Sequence, residues 1–426
     1  MTMTSTGGKR GPFVARALAL GSLLASGAVH AEQAMTVFGG EGRHCGEDPH
    51  CINRLHPDIP MAGSATPGTV LVLRTRNALD FPVVSSGDDG DGREIGAELG
   101  TVHPLTGPVH IEGARRGDVL AVTLLDIAPG PYGWTSASSF GFASDLIGED
   151  AHIVWRLDAG YAVADALPGI RIPNGSFPGI VTTLPGAAEL EKMLERERAV
   201  AEAGGNAFLP DPTHAYPDAL CGPEGIARDD CLRTLPPREH GGNLDIRYLR
   251  PGVTVYLPCY VAGCGLAVGD LHYAQGDGEI SGTAIEMDAD VTLVARILKK
   301  EEGAPSLARG PHYEGPAHVL DIPSRRFYAV TGFPRTEAGS VPPDMHYLES
   351  PVIAGLTNLN KDLNLAARNA VEEIVDYISE RFGYTRVEAY MIASVAVDLR
   401  IGQLVDAPNV GVTALLPLDI FVDAEP

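Results

Sequence analysis

Glycine and proline punctuate this chain so densely that most fold classes are closed to it. Of 426 residues, 50 are Gly and 33 are Pro, nearly a fifth of the total, against about 12% in average usage. They follow no collagen period; they sit as turns between short apolar runs, which excludes a coiled coil or helix bundle. A turn-then-strand unit recurs. Pro67-Gly68 leads into Thr69–Thr75, Arg116-Gly117-Asp118 into Val119–Ile127, and Pro251-Gly252 into Val253–Leu257. Further strand candidates are 109–112, 280–286, 291–297, 319–322, 327–330 and 410–415, too closely spaced for intervening helices. The pattern predicts an α+β, β-rich protein with a jelly-roll-like β-sandwich core.

Helix signals are few. Ala187–Ala203 is highly charged and ends at Gly204-Gly205. In Asp362–Arg381, Leu363, Ala367, Val371, Ile374 and Ile378 recur at helical spacing, and Gly383 follows as a C-terminal stop. Thr385 and Glu388 form a capping box that opens a helix to about Val397. Two stretches, 80–98 and 206–239, read as long loops.

The N-terminus reads as an export signal. Lys9, Arg10 and Arg16 precede an apolar run from Ala17 to Ala25, and Val29-His30-Ala31 supplies small residues before a cut at Glu32. The run is too short to span a membrane. The expected location is periplasmic or secreted. Cleavage removes three positive charges and no negative one, so the formal charge moves from −23 to −26. Without a basic face, nucleic acid and anionic membranes are poor partners.

Export bears on the six cysteines, which form three sequence-close pairs: Cys45 and Cys51, Cys221 and Cys231, Cys259 and Cys264. An oxidising compartment favours three local disulfides. A zinc knuckle from Cys45, Cys51, His44 and His50 is the alternative for the first pair. The parts expected along the chain are a signal peptide (1–31), an N-terminal extension with a Cys pair (32–64), a β-sandwich part (65–185), a catalytic β-rich part with an inserted loop at 206–239 (186–310), and an α+β C-terminal part (311–426).

The usual nucleophile and nucleotide motifs are missing. There is no Gly-x-Ser-x-Gly elbow, no Walker A and no dinucleotide fingerprint. Possible metal ligands concentrate instead at 238–286. Asp270 and His272 stand two apart, on one face of a strand. With one more carboxylate or imidazole they could hold a divalent ion, leaving a position for water. Glu279 or Asp277 could take the water's proton. The plainer alternative is that Gly-Asp and Gly-Asp-Gly are turns, that Asn243 and Asp245 begin a strand, and that His103 is an extended loop residue before Pro104.

Three motifs in order then resemble one family. The first is His103-Pro104-Leu105-Thr106-Gly107-Pro108-Val109, with Glu112-Gly113-Ala114 and Gly117-Asp118-Val119-Leu120. The second is Gly241-Gly242-Asn243-Leu244-Asp245, with Leu257-Pro258, Gly269-Asp270-x-His272-x-x-Gln275-Gly276-Asp277-Gly278-Glu279 and Gly282-Thr283-Ala284-Ile285-Glu286. The third is Ala393-Ser394-x-Ala396-Val397-Asp398-Leu399-Arg400-Ile401, with Gln403-x-Val405-Asp406-x-Pro408-Asn409. Together they resemble the acetamidase/formamidase family over about residues 65–421. The resemblance implies hydrolysis of a short linear amide to carboxylate and ammonia, a divalent metal (zinc, or else calcium) and a homo-oligomer. It implies metal ligands among Asp245, Asp270, His272 and Glu286. It implies catalytic roles among Glu279, His103, Asp277 and Asn243. Two departures bear on substrate: Cys259-Tyr260-Val261-Ala262-Gly263-Cys264 replaces a cysteine-free stretch, and the loop 211–235 carries its own Cys pair. Two rival functions remain: a non-catalytic ligand- or carbohydrate-binding jelly roll, and a hydrolase of a larger or cyclic amide.

Overall fold

The computed structural model describes residues 35–83, 100–139, 141–205, 207–302, 304–307, 310–334, 362–404 and 410–422, all within the unit Ala34–Pro426. The expected signal peptide, most of the 80–98 loop and the 405–409 end of the third motif lie outside them. Among the described residues the chain is strand-rich with few helices, as its turn density predicts.

One antiparallel-dominated sheet carries most of the strands. We label its main members β1 (Val70–Thr75), β2 (Leu105–Ile111), β3 (Val119–Ala137), β4 (Ala151–Leu157), β5 (Phe177–Thr182), β6 (Gly241–Asn243), β7 (Thr254–Pro258), β8 (Cys264–His272) and β9 (Glu286–Leu298). The path β4-β3-β9-β8-β5-β6 runs across it. The long strands hold it together. β9 pairs with β3 along nearly its whole length, with β1 through Ala289–Val294, and with β8 only at Leu271↔Met287 and His272↔Glu286. Register shifts in the β9–β3 ladder bend it, as bulges do. β9 is therefore shared between a β3–β9–β1 group and a β2–β8–β5 group. Val, Leu and Ile side chains from both groups fill one core: Leu73, Val122, Leu124, Leu266, Val268, Val291 and Leu293 are all fully buried.

A second sheet near the C-terminus orders β10 (Phe327–Gly332), β12 (Gly411–Pro417) and β11 (Asp398–Gln403) antiparallel. We label the helices α1 (Ala187–Glu202), α2 (Leu363–Phe382) and α3 (Arg386–Ala396). Local signals set their ends. The Asp362 carboxylate accepts from the backbone N–H groups of Asn364 and Leu365. Gly383 takes φ 80° after α2. The Thr385–Glu388 capping box is closed in both directions. Among the described residues no helix is long and apolar enough to cross a membrane.

All six cysteines are paired locally: Cys45–Cys51, Cys221–Cys231 and Cys259–Cys264. The first bridge disposes of the zinc-knuckle alternative. Two strand expectations fail. Residues 319–322, expected in a strand, instead complete a 3-10 turn (Ala317–Leu320) and leave it through a bend, between Pro316 and Pro323. Residues 280–285 are turns and loop, and strand begins only at Glu286. Their hydrogen bonds are taken by α3. Ser394 Oγ accepts from the Ser281 N–H (2.9 Å) and donates to the Thr283 carbonyl (2.9 Å), and the Tyr390 hydroxyl donates to the Ile280 carbonyl (2.8 Å).

Candidate active site

Strand pairing brings the candidate residues together. His272 and Glu286 are directly paired across β8 and β9. His103 precedes β2, whose Leu105 pairs with Gly269 beside Asp270. β5 lies between β8 and β6, so Asn243 and Asp245 follow a ladder that opposes Ile180. Glu279 arrives on the loop after β8, and α3 holds that loop. The Gly276 N–H donates to the Ser394 carbonyl at 2.9 Å. A Cβ at Gly276 would lie 2.0 Å from the Val397 carbonyl oxygen, so only glycine lets the loop lie this close to the end of the helix.

The result is four carboxylates around one imidazole. Asp270, His272 and Glu286 are buried at 3%, 1% and 2% exposure, while Asp245 and Glu279 are half-buried. His272 Nε2 lies 3.3 Å from Glu286 Oε2 and 3.5 Å from Asp270 Oδ1. His103 Nε2 lies 4.0 Å from Asp270 Oδ1. Three other groups hold these side chains. Gln275 Oε1 sits 2.8 Å from His272 Nδ1, and Gln275 Nε2 donates to the Asp245 carbonyl at 3.1 Å. The Ala284 N–H donates to Glu286 Oε1 (2.8 Å). Phe177 meets the His272 ring edge-on at 5.0 Å. With Gln275 accepting from Nδ1–H, the lone pair of His272 is on Nε2, facing the carboxylates.

The backbone is strained where the ligand candidates sit. Asp245, Asp270 and Glu279 all take left-handed φ values of 47°, 57° and 44°, which cost a non-glycine residue about 1–3 kcal/mol and gather at functional sites.

Electrostatics argues for a cation. Burial pushes Glu279 well above the usual carboxylate range, and the Asp245 charge beside it adds to the rise. Burial likewise lifts Asp245, to about 7, with Asp270 and Glu286 adding to it against His272. Burial alone would raise Asp270 too, but the His103 and His272 rings outweigh it and hold that carboxyl down at about 2. Four carboxylates and one imidazole leave negative charge uncompensated in a low-dielectric place. Two overlapping sets, Asp270–His272–Glu286 and Asp245–His272–Glu279, have ligand atoms within 4.8 Å of one another. Of these atoms, His272 Nε2, Asp245 Oδ1 and Glu286 Oε2 are buried with no hydrogen-bond partner. Such a donor set fits a divalent ion of the zinc or calcium kind.

Asp277 is not brought to this cluster. It accepts from the Tyr248 hydroxyl, and its N–H donates to Asp398 Oδ1 at 3.2 Å. Asn243 is half-buried at the wall of the site, its Oδ1 without a partner. Gly179, at the middle of β5, escapes a reading based on side-chain chemistry. A Cβ there would lie 2.6 Å from Asp245 Oδ1, 2.7 Å from Asp270 Oδ2 and 2.9 Å from His272 Cε1. Its carbonyl accepts from Leu244 (3.0 Å) and Asp245 (3.2 Å) N–H groups, fixing the aspartate's turn. The signal for it was a glycine amid a run of apolar strand residues, which marks a close approach.

A cavity of about 370 Å³ opens beside the carboxylates. His103, Asn243, Asp270, Glu279 and Glu286 are polar groups in its lining, and Val102, Trp134, Phe208 and Leu235 also stand in its wall.

Known proteins resemble this chain in sequence and fold. The sequence profile of the Acetamidase/Formamidase family matches residues 41–423. A formamidase of Methylophilus methylotrophus is 30% identical over 402 residues, covering 88% of this chain and 90% of that one. An acetamidase of Mycolicibacterium smegmatis is 30% identical over 370 residues, covering 80% and 84%. The solved structure of a gamma lactamase from Delftia acidovorans superposes with a TM-score of 0.79 at 30% identity, covering 92% of this chain and 94% of that one. With the family profile matched over most of its length and relatives 30% identical across it, the chain belongs to the acetamidase/formamidase family of amide hydrolases.

Proposed function

We propose that this protein is an exported, metal-dependent amidohydrolase that cleaves the C–N bond of a short linear amide to carboxylate and ammonia. The observation that carries the reading is the convergence of Asp245, Asp270, Glu279 and Glu286 on the unpartnered Nε2 of His272 beside a cavity. The formamidase and acetamidase relatives support the substrate type.

In this reading Asp245, Asp270, His272 and Glu286 hold a divalent cation, zinc or else calcium. When bound, the ion supplies Lewis-acid activation of water and of the amide carbonyl. Glu279, with its carboxyl raised by burial, is the proton carrier. It takes the proton of the attacking water and delivers it to the leaving nitrogen. His103 and Asn243 reach the cavity from opposite ladders and are placed to hydrogen-bond the carbonyl oxygen and the amide nitrogen. Gln275 keeps His272 in the ligating tautomer. Asp277 braces Tyr248 away from the chemistry.

Ammonia release from formamide, acetamide and propionamide, before and after chelation, tests the reading. Release that chelation abolishes and added metal restores supports it. Equal activity after exhaustive chelation removes the metal role, and no release from any amide removes the reaction. Export is tested by the mass of periplasmic protein, expected to begin at Glu32. Homo-oligomeric assembly is tested by light scattering.

A further inference from the structure

We propose that the cavity beside the carboxylates is an acyl pocket for a primary amide whose acyl group is an apolar ring, larger than acetyl. This rests on the amidohydrolase reading above and specifies its substrate. The cavity holds about 370 Å³, or about a dozen water volumes of ~30 Å³. Acetamide has four non-hydrogen atoms and leaves most of that space unfilled; a ring amide such as benzamide has nine. The lining is of two kinds. His103, Asn243 and Glu279 present polar atoms, where a carboxamide head belongs. Leu79, Val102, Trp134, Phe208 and Leu235 supply apolar surface. Two of the hydroxyls in the lining are already engaged: Thr283 Oγ1 donates to the Ser136 carbonyl (3.0 Å), and Ser281 Oγ donates to the Thr283 carbonyl (3.2 Å). A charged acyl group would lose its water there without a cation in the lining to pair with.

The apolar wall is built, not incidental. Trp134 is 2% exposed, between Phe81 and His152, each ring 5.8 Å away. Phe208 and Leu235 come from the long loop at 206–239. That loop is braced from the N-terminal extension. The fully buried Arg54 donates to the carbonyls of Asp211 (2.8 and 3.1 Å) and Thr213 (3.1 Å). Asn53 Nδ2 donates to the His214 carbonyl (2.7 Å), and Leu232 pairs with Leu55. The Cys221–Cys231 bridge closes the loop on itself. Residues outside the shared motifs thus supply much of the apolar lining, where specificity is set.

The test compares benzamide with acetamide on the metal-loaded, mature protein. The expected result is a kcat/KM for benzamide at least tenfold above that for acetamide, since each apolar group bound in such a pocket is worth about 10–200-fold. Phe208→Ala lowers the benzamide-to-acetamide ratio by about tenfold or more, and Leu235→Trp, which fills the chamber, does the same. Binding gives a second readout: benzamide produces saturable quenching of tryptophan fluorescence through Trp134, and acetamide does not. Unaltered melting temperatures show that the variants are folded. Ammonia from acetamide at a kcat/KM equal to or above that for benzamide, with the ratio unmoved by both variants, overturns the acyl pocket and leaves the amidohydrolase reading standing. No ammonia from benzamide, formamide, acetamide or propionamide overturns both.

Discussion

Replacing Gly179 by alanine is the smallest change that should disable the site. The added methyl carbon would stand 2.6 Å from Asp245 Oδ1, 2.7 Å from Asp270 Oδ2 and 2.9 Å from His272 Cε1. Carbon contacts settle at about 3.5–4.0 Å, so each of these groups must retreat by roughly 0.5–1 Å. β5 cannot yield instead, because it is paired on both sides, to β6 and to β8. A displacement near 1 Å in a reacting constellation costs about 100-fold. Stability should suffer much less. Overpacking costs about 1–3 kcal/mol, and alanine in a strand recovers roughly 0.5–1 kcal/mol of glycine's entropy. The net is about 1–2 kcal/mol, a shift of a few degrees in Tm. The assay pairs ammonia release under metal saturation with calorimetric melting and metal content. A Gly179→Ala protein that keeps activity within threefold of wild type, with full metal content, refutes the argument that these three side chains are the ones that matter.

The structure supports three more predictions. Gln275→Leu removes the acceptor at 2.8 Å from His272 Nδ1 and should weaken metal affinity about 10–100-fold; unchanged affinity by equilibrium dialysis would show that the tautomer is fixed by something else. Arg54→Met leaves the carbonyls of Asn53, Asp211 and Thr213 without its donors, at about 1–3 kcal/mol for a buried group left unmade; a lower Tm and new protease cuts between 207 and 216 are expected, and wild-type resistance would contradict the bracing role. His240 is fully buried, and burial pulls its pKa from 6.5 down to about 3. The unfolded chain therefore gains a proton near pH 6.5 that the folded one resists, so stability is whole above 6.5 and falls as pH drops toward 3. His240→Gln should flatten that part of the Tm–pH curve, and an unchanged slope would rule His240 out as its source.

Features set by nearby residues were legible before any fold was known. The caps at Asp362, Gly383 and Thr385–Glu388 are contacts within a few residues, and they appear as read. The three short cysteine separations likewise closed into three local bridges. The ligand candidates Asp270 and His272 and the proton carrier Glu279 were visible from the residue pattern, the family motifs added Asp245 and Glu286, and all five converge as a cluster. What was not legible depends on partners far along the chain. Residues 280–286 alternate like a strand, yet Ser394 and Tyr390, over 100 residues later, take their hydrogen bonds and leave a loop that aims Glu279. Asp277 matched the same motif as Glu279 but turns to Tyr248. Gly179 carries no chemistry of its own; only the pairing of β5 with β6 and β8 shows that its missing side chain makes the space for three others. Arg54, a charged residue in an unremarkable stretch, proves to be buried because four carbonyl contacts from the inserted loop and its own neighbour surround it.

The central claim is that the carboxylate cluster around His272 holds a catalytic divalent ion. Its most direct measurement is metal stoichiometry against activity: the mature protein is stripped, titrated with zinc or calcium, and followed by ammonia release from an amide. The account predicts that activity rises in step with one bound equivalent per chain, and that His272→Ala, folded by its melting curve, neither binds that equivalent nor releases ammonia. Full activity in the stripped protein, or in a His272→Ala protein without the ion, would contradict it.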